Sequence, residues 1–547
     1  MRRRLRRLRK KVIGLIVALG KSSGVGTIPS EGGVSLSERK PMLLPYSPPR
    51  LDSIDIKLFD TLVPFDHWVR RADKHIDFLA LRQAIEPLFS GEGRPAIEPV
   101  LFIKLEFLMF HDCLSYSQVF ERAGTDLAYR HFLGLGREDH LPSAGSLRKF
   151  RARLGVEGHQ AIFDKLVSQA RACGLVKDRL RLKDATHVLA DIAIPAGLQL
   201  VAQARNKLLV AAEPFDATSV AGERVRIESV RTTTDTCGSE TRLVARVEHL
   251  RDLVAWVAEL PPPSDANENP TWKKLVAALD VARKVLAGHD RPDAPGKIRS
   301  AVDPDARRGR HGEFYDGYMV DALIDADSEL FTAINVMPAN GNESADTLTL
   351  LDREQSAHGN QIEKLSIDGA GYDGPVIREL ESKNVKVFVP PKETTNRGRY
   401  RSDEFHLNED NSSVTCPAGE QSQYKQRDQA KHTTSYRFNR EACHACPLKQ
   451  ECIDTNQKFG RSVRKNDYEP EYSMVRARAQ TTEYAEVKRE HPRVERRLGE
   501  LINRHGGRRA RYRGTNKVFV QQILGATTAN LKRMIRLLDA GSVFSFG

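Results

Sequence analysis

Apolar residues recur at helical spacing through the first third of the chain, then switch to strand-like alternation near residue 180. Trp68, Ile76, Phe78, Leu79, Leu81 and Ile85, then Val100 to Cys113, make residues 50–170 mostly helical. Ser115 to Ala123 and Pro142 to Leu154 read as paired short helices. Ser143 is a candidate cap, and Arg148, Lys149, Arg151 and Arg153 decorate the second helix. Two readings stay open there: a helix-turn-helix that docks on DNA, or a helical bundle with a solvated basic face.

Leu180, Leu182, Asp184, Thr186 and Val188 share one face of a strand. Residues 200–290 return to helix (Thr241 to Leu260, Trp272 to Leu286), with prolines breaking the pattern at 261–263. Tyr318 to Ile324 and Leu330 to Val336 flank Asp325-Ala-Asp-Ser as a hairpin. Helix 343–357, strand Lys364 to Asp368, helix 375–383 and strand Val385 to Val389 follow, which predicts an α/β fold with a mixed sheet. A polar, cysteine-bearing region fills roughly 391–480. Val494, Leu498, Leu501 and Ile502 then recur at i, i+4, i+7 and i+8, forming one apolar stripe. An amphipathic helix from Val518 to Leu538 closes the chain, and no internal repeat is evident.

These patterns divide the chain into a basic leader (1–41), a helical N-terminal domain (42–170) and an α/β core (178–390) with a helical insertion at about 200–295. The cysteine-rich insertion (391–480) and a closing segment (481–547) complete it. The 547 residues suffice for several cores. A net charge of +13 and a pI near 9.3 point to nucleic acid or an anionic surface. Residues 2–11 supply eight of those positive charges. The leader imitates an export signal, but its apolar run (Val12 to Leu19) is too short to span a bilayer. An upstream-extended reading frame, with Met42 as the natural start, or a basic DNA-contacting arm fits better than export. The expected location is cytoplasmic, with no membrane partner. The remaining basic excess gathers in 488–517, where eleven Lys and Arg face three Glu.

That excess sits beside a candidate metal ligand. Glu495 lies about 75° from the centre of its helix's apolar stripe, whereas Glu500 points nearly opposite, into solvent. Arg496, Arg497, Arg504, Arg508, Arg509, Arg511, Arg513 and Lys517 crowd the same segment, as a phosphate backbone would require. Asp184 stands mid-strand on an apolar face, where a lone carboxylate is costly unless paired or bound to metal. Asp368 ends a strand at the turn Gly369-Ala-Gly-Tyr-Asp-Gly374. Taken singly these are equally a strand-edge residue, an Asx turn and a partner for arginines. Brought together, three such carboxylates hold two divalent ions roughly 3.5–4 Å apart, and sparse oxygen ligation suits Mg²⁺ or Mn²⁺. Separately, Cys416, Cys443, Cys446 and Cys452 give C-x26-C-x2-C-x5-C. That spacing reads as a closed structural Zn²⁺ site or as reduced free cysteines, with His444 a knuckle residue. Cys113, Cys173 and Cys237 stand alone.

Ordered motifs then narrow the reading. Asp184-Ala-Thr-His-Val-Leu-Ala, Asp303-Pro-Asp-Ala-Arg307, Tyr315-Asp-Gly-Tyr318, Pro338-Ala-Asn340, Asp368-Gly-Ala-Gly-Tyr372, Val494-Glu-Arg496, His505 to Gly514 and Ala529-Asn-Leu-Lys-Arg533 together resemble bacterial insertion-sequence transposases of the DDE class. The block from Pro64 to Leu154 resembles that family's amino-terminal domain. The resemblance covers nearly everything from about residue 45. It implies an RNase H-like catalytic domain with Asp184, Asp368 and Glu495 as the metal-binding triad. It also implies strand cleavage and strand transfer at element ends, with double-stranded DNA (terminal inverted repeats and target) as partner. The expected assembly on DNA is a homodimer or larger, associated with the nucleoid. Arg148, Lys149, Arg151, Arg496, Arg504, Arg508, Arg509, Arg511, Arg513 and Lys517 become the expected DNA contacts. The chain departs from related catalytic helices, which often carry a Tyr and an Arg before the Glu and a Lys two turns after it. Here Tyr484 fits loosely, His491 stands four residues before Glu495, and Ile502 or Asn503 takes the lysine's place. Lys488, Arg489 and Arg504 are the possible substitutes, Met319 replaces a second lysine of many relatives, and Glu490 is the runner-up third ligand. A metal-dependent nuclease on the same fold and a decayed DNA-binding relic are the alternatives.

Overall fold

A computed structural model describes residues 42–544 except 90, 92, 93, 194, 293, 295, 393–398, 455 and 456; the basic leader lies outside the described residues. Seven helices open the described chain: α1 (Ser53–Leu62), α2 (Trp68–His75), α3 (Phe78–Ile85), α4 (Pro99–His111), α5 (Tyr116–Thr125), α6 (Leu127–Leu133) and α7 (Ala144–Ala172). α4 is apolar on every side and buries Phe102, Ile103, Leu105, Phe107, Leu108 and Phe110, so the others pack around it. Side-chain caps from Asp77, Ser115, Asp126 and Ser143 start α3, α5, α6 and α7.

The paired-helix reading of 115–154 requires correction. Asp126 accepts from the amides of Ala128 and Tyr129 and so starts α6 inside the segment read as a turn. The second helix is not short: α7 runs 29 residues through one non-helical position, Gly155 at φ 54°. Its far half carries Phe163 and Val167 under the sheet, so α7 belongs to both regions.

The sheet is built from β1 (Arg181–Leu189), β2 (Arg307–His311), β3 (Glu313–Asp325), β4 (Phe331–Pro338), β5 (Lys364–Ser366) and β6 (Lys386–Phe388). Its order is β4–β3–β1–β5–β6, with β2 beside the start of β3; β3 and β4 run antiparallel, while β1, β5 and β6 are parallel. This is the RNase H-like arrangement. Between β1 and β2 stand α8 (Gly197–Ala212), α9 (Ala217–Thr234), α10 (Ser239–Ala258) and α11 (Pro270–Asp290), around a core of their own that includes Val201, Leu208, Leu250, Leu253 and Val281. α12 (Glu343–His358) links β4 to β5, and α13 (Gly374–Ser382) links β5 to β6. The hairpin, the crossovers and the helical insertion match the sequence reading; β2 had no signal in it.

The cysteine-bearing insertion holds β7 (His406–Leu407), β8 (Val414–Thr415), β9 (Tyr424–Asp428), β10 (Thr433–Arg437), α14 (Arg440–Ala445), α15 (Lys449–Cys452) and β11 (Ser462–Asn466). Its core is Phe405, Val414, Tyr436, Phe438 and Val463. α16 (Glu469–Arg478) does not belong to that core. Tyr472 stacks on Tyr372 at 4.7 Å and accepts from the Gly374 amide at 3.1 Å, and Val475 joins Val376 and Leu380. The insertion's own core therefore closes at β11 rather than near 480. α17 (Thr482–Glu490), α18 (Pro492–Arg504) and α19 (Thr515–Phe544) finish the chain.

Both sheet faces are covered. Val494, Leu498 and Leu501 of α18 and Val518, Ile523 and Ala526 of α19 pack on Leu182, Val188, Val320 and Ile334. α12 and α13 cover Leu365, Ile367 and Val387 on the other side. Asn530 sits buried at the β4 edge, accepting from the Phe331 amide and donating to the Phe331 carbonyl, both at 2.8 Å. No helix among the described residues is long and apolar enough to cross a membrane.

Because helices cover both faces, the odd positions of β1 are buried as well. Arg181 and Lys183 are fully enclosed. Arg181 meets Glu354 at 2.7 Å and Asp325 at 2.9 Å, and Lys183 meets Asp321 at 3.0 Å. Stranding a buried charge costs about 3–5 kcal/mol. Arg181→Met should lower stability by about that amount in chemical denaturation, and adding Glu354→Gln should return part of it; an Arg181→Met chain as stable as the parent would contradict this account.

Candidate active site

Parallel pairing of β1 with β5 places Arg181 opposite Leu365 and Leu182 opposite Ser366. Two residues beyond that register on each strand come Asp184 and Asp368, level with each other where the two strands part. Asp368 leaves β5 as the cap of a short 3₁₀ turn, accepting from the Ala370 amide at 3.0 Å. Asp184 accepts from the Ala185 amide at 2.8 Å. A third carboxylate joins them. Glu343, the first residue of α12, offers an oxygen within 4.8 Å of both aspartates. Among the described residues this is the only group of three or more His, Cys, Asp or Glu side chains so closely spaced. Sequence reasoning missed Glu343. Its signal was the strand–Asn342–Glu343 junction, which marks a helix start and, by itself, nothing chemical.

Glu495 stands in the first turn of α18, exposed and outside that tight group, yet its charge helps to raise the Asp184 carboxyl. Burial is the main cause of that rise, opposed by the Ala185 hydrogen bond and assisted by Asp368 and Glu343; together they push Asp184 to about 7. Lys488 of α17 enters the same site, donating to the Ile367 carbonyl at 3.1 Å. Burial lowers its ammonium while Asp368, Glu495 and Asp184 pull it the other way. Lys183 anchors Glu343 from behind, reaching its carboxylate and its carbonyl at 3.1 Å each. His491, lowered to about 4 by burial and by Lys488, shares a 3.0 Å hydrogen bond with Ser366, two residues before Asp368.

Two carboxylates stand elsewhere than the sequence placed them. Glu490 is engaged by Arg179 at 3.0 Å and Arg493 at 2.9 Å, which removes it as third ligand. Glu500 is not solvated: it is half-buried against Arg497 and His505, and Arg497 is itself buried. The covered face of α18 is wider than the four-residue stripe, since α19 packs against it and His505, just past its end, meets the Phe110 carbonyl of α4.

The arginine block is not a continuation of α18. The helix stops at Arg504, and 505–514 runs back beside β1, with the Leu189 amide donating to the Arg508 carbonyl at 2.9 Å and the Ala510 amide to the Leu189 carbonyl at 2.8 Å. α19 pins this loop through side-chain amides: Gln521 accepts from the Arg511 amide and donates to the Gly506 and Arg509 carbonyls, and Gln522 donates to the Gly507 carbonyl. Gly514 donates to Asp303, which also accepts from the Tyr318 hydroxyl at 2.6 Å. The motifs around 303, 315 and 505 are thus one junction. A transposase DDE domain model matches residues 415–535, and a transposase domain model (DUF772) matches residues 57–153. These matches indicate an insertion-sequence DDE transposase. No curated protein matches the chain. The family brings with it transposition, DNA binding and use of a divalent metal. Glu495 and the arginine loop lie inside the first match, while Asp184, Glu343 and Asp368 lie outside both.

The chain presents its cations unevenly. Arg504, Arg509, Arg513 and Lys517 are exposed, as are Arg148 and Lys149 of α7. Arg496 is exposed with a 3.4 Å contact to Glu329. Arg508 and Arg511 are half-buried, donating to the carbonyls of His187 and Leu114. Arg151 is buried, bonded to Glu106 at 3.1 Å and to the hydroxyls of Tyr116 and Tyr512, so it braces α7 against the arginine loop instead of facing DNA. Cys416, Cys443, Cys446 and Cys452 line one cavity of about 230 Å³ and are all free thiols. Burial and the neighbouring sulfurs raise Cys443 and Cys452. His444 is absent from the cavity wall.

With Asp184 raised to about 7, the folded chain takes up a proton that the unfolded chain releases, so this group's stabilising effect fades as pH rises from about 4 to 7. In the absence of divalent metal at pH 8, Asp184→Asn should therefore melt higher than the parent, by up to a few kcal/mol. The difference should vanish near pH 4, and added Mg²⁺ should raise the parent's melting temperature more than the variant's. A pH-independent difference would show that the carboxylate is not crowded.

Proposed function

We propose that Asp184, Asp368 and Glu343, with Glu495 beside them, hold Mg²⁺ or Mn²⁺, and that the chain cleaves DNA at the ends of an insertion sequence and joins them to target DNA. The supporting observation is the close grouping of carboxylates from three separate elements at the open end of β1 and β5. The donor set fits: it is all oxygen, as hard cations prefer, and the burial that chiefly raises Asp184, together with the repulsion of its carboxylate neighbours, is what a divalent charge offsets. Such ions, when bound, activate the attacking oxygen and stabilise the leaving one. Lys488 adds a positive charge to the site's edge and takes the place of the lysine missing from α18. Arg504, Arg509 and Arg513, with Arg508 behind them, hold backbone phosphates beside β1, and Arg148, Lys149 and Lys517 extend that contact to the helical domain, which reads the terminal repeats. Chemically, water attacks the phosphorus at an element end and the P–O3′ bond breaks, leaving a 5′-phosphate and a free 3′-hydroxyl. That hydroxyl then attacks a target phosphodiester, forming a new P–O bond and releasing the target's own 3′-hydroxyl. Holding two ends together requires at least two copies of the chain on DNA, in the cytoplasm at the nucleoid.

Purified protein should nick element-end DNA in Mg²⁺ and join pre-cut ends to a plasmid. Asp368→Ala and Glu343→Gln should reduce both to background or near it while duplex affinity stays within about threefold, since neither carries phosphate-binding charge. Cleavage without joining would make the chain a nuclease, and indifference to Asp368→Ala would make it a binding relic.

We also propose a structural Zn²⁺ among Cys416, Cys443, Cys446 and Cys452. Support comes from four free thiols on one cavity, beside a core that among the described residues is a cluster of five buried apolar side chains, small for an insertion of this length. The thiols are not yet at ligand spacing, so zinc would draw them together. Elemental analysis should find about one zinc per chain, lost in Cys443→Ser/Cys446→Ser; a metal-free parent that melts unchanged in chelator would exclude it.

A further inference from the structure

The outer face of the β9–β10–β11 sheet in the cysteine-bearing insertion has no role in the chemistry above. Antiparallel register sets Tyr424 beside Arg437 and Ser462, and Gln426 beside Ser435 and Arg464, on one face. The alternate positions Tyr436 and Val463 fill the insertion's core from the opposite face. The outer face is concave, about 850 Å³, with Phe459 and Arg440 at its margins. Tyr424 is 66% exposed and Phe459 77% exposed, among the largest unburied apolar surfaces of the chain.

Its cations differ from those around it. Elsewhere in the insertion Arg427 pairs with Asp467, Lys431 with Asp428 and Arg399 with Asp454, and Arg461 donates to the carbonyls of Cys452 and Tyr400. Arg437, Arg440 and Arg464 are exposed and make no ion pair among the described residues; Arg437 reaches only Gln426. Glu441 is the acid on the concave wall, and Asp428, next along the same face, is taken by Lys431. Two protruding rings among unneutralised guanidiniums and amide or hydroxyl groups are what a single nucleic-acid strand needs. Rings stack on bases only when those bases are unpaired, and guanidiniums follow the phosphates. A protein partner would favour an apolar centre depleted of charge, which this face lacks.

We propose that this face binds single-stranded DNA, with Tyr424 and Phe459 as stacking platforms and Arg437, Arg440 and Arg464 as phosphate contacts. It rests on the reading of the chain as a DNA-acting protein and gives the insertion a part in binding that DNA where its bases are unpaired. The test is fluorescence anisotropy of the full chain with a labelled, unstructured 16-nucleotide DNA strand in EDTA, against a duplex of the same length. Tyr424→Ala and Phe459→Ala should each weaken single-strand binding roughly 5- to 100-fold while changing duplex affinity less than twofold, with Tyr424→Phe and Phe459→Tyr close to the parent. Arg437→Ser should reduce the salt slope for the single strand by about 0.7, and Arg464→Gln serves as second charge variant. The side chains changed are all exposed, so a thermal melt matching the parent confirms folding. Unchanged single-strand affinity in both alanine variants overturns the proposal, as does a change in oligomeric state by sedimentation without a change in DNA affinity, which would make the face a protein interface. Binding is read without divalent metal, so failure of the cleavage reading leaves this measurement standing.

Discussion

The parallel register between β1 and β5 is the constraint on which the candidate site depends. A one-residue slip would turn Asp184 to the opposite face, because side chains alternate with period two. The register is held by what lies behind it. Arg181 and Lys183 occupy the alternate positions of β1, each locked to carboxylates from β3 and α12. Those ion pairs fix the strand along its length and bring Glu343 to the other carboxylates, so the charges that order the core also order the site.

A second set of polar contacts ties the arginine segment to the same strand. The loop after α18 extends β1 by backbone hydrogen bonds, and amides of α19 fill its remaining carbonyls. Arg151, braced by Glu106 and two tyrosine hydroxyls, joins α7 to that loop. The helical domain and the loop, which both carry exposed cations, are thereby joined, and the loop bonds to the strand that holds Asp184.

The insertion follows a different logic. Its apolar core is small, its cysteines converge on one cavity, and its outer sheet face keeps rings and guanidiniums in water.

Much of this was legible in the residues. Hydrophobic periodicity located five of the six strands of the sheet, the crossover helices, the helical insertion and the apolar stripe of α18, since each of those signals is local. Asp184 and Asp368 stood out because a carboxylate on an apolar strand, or at a strand end before glycines, is already unusual. Other features depend on partners far away in the chain. Glu343 reads as an ordinary helix-start acid, and only the sheet brings it to the aspartates. Glu490 and Arg151 read as available charges, yet Arg179 and Glu106, far away in the chain, claim them. The segment around Asp126 read as a turn until its carboxylate capped two amides. Sequence alone therefore determined which segments are helix or strand and which residue types carry chemistry, because backbone periodicity and side-chain identity are local properties. Tertiary structure decided which charges are spent on one another and which remain for metal and DNA, because pairing depends on distances that the chain sets only when folded.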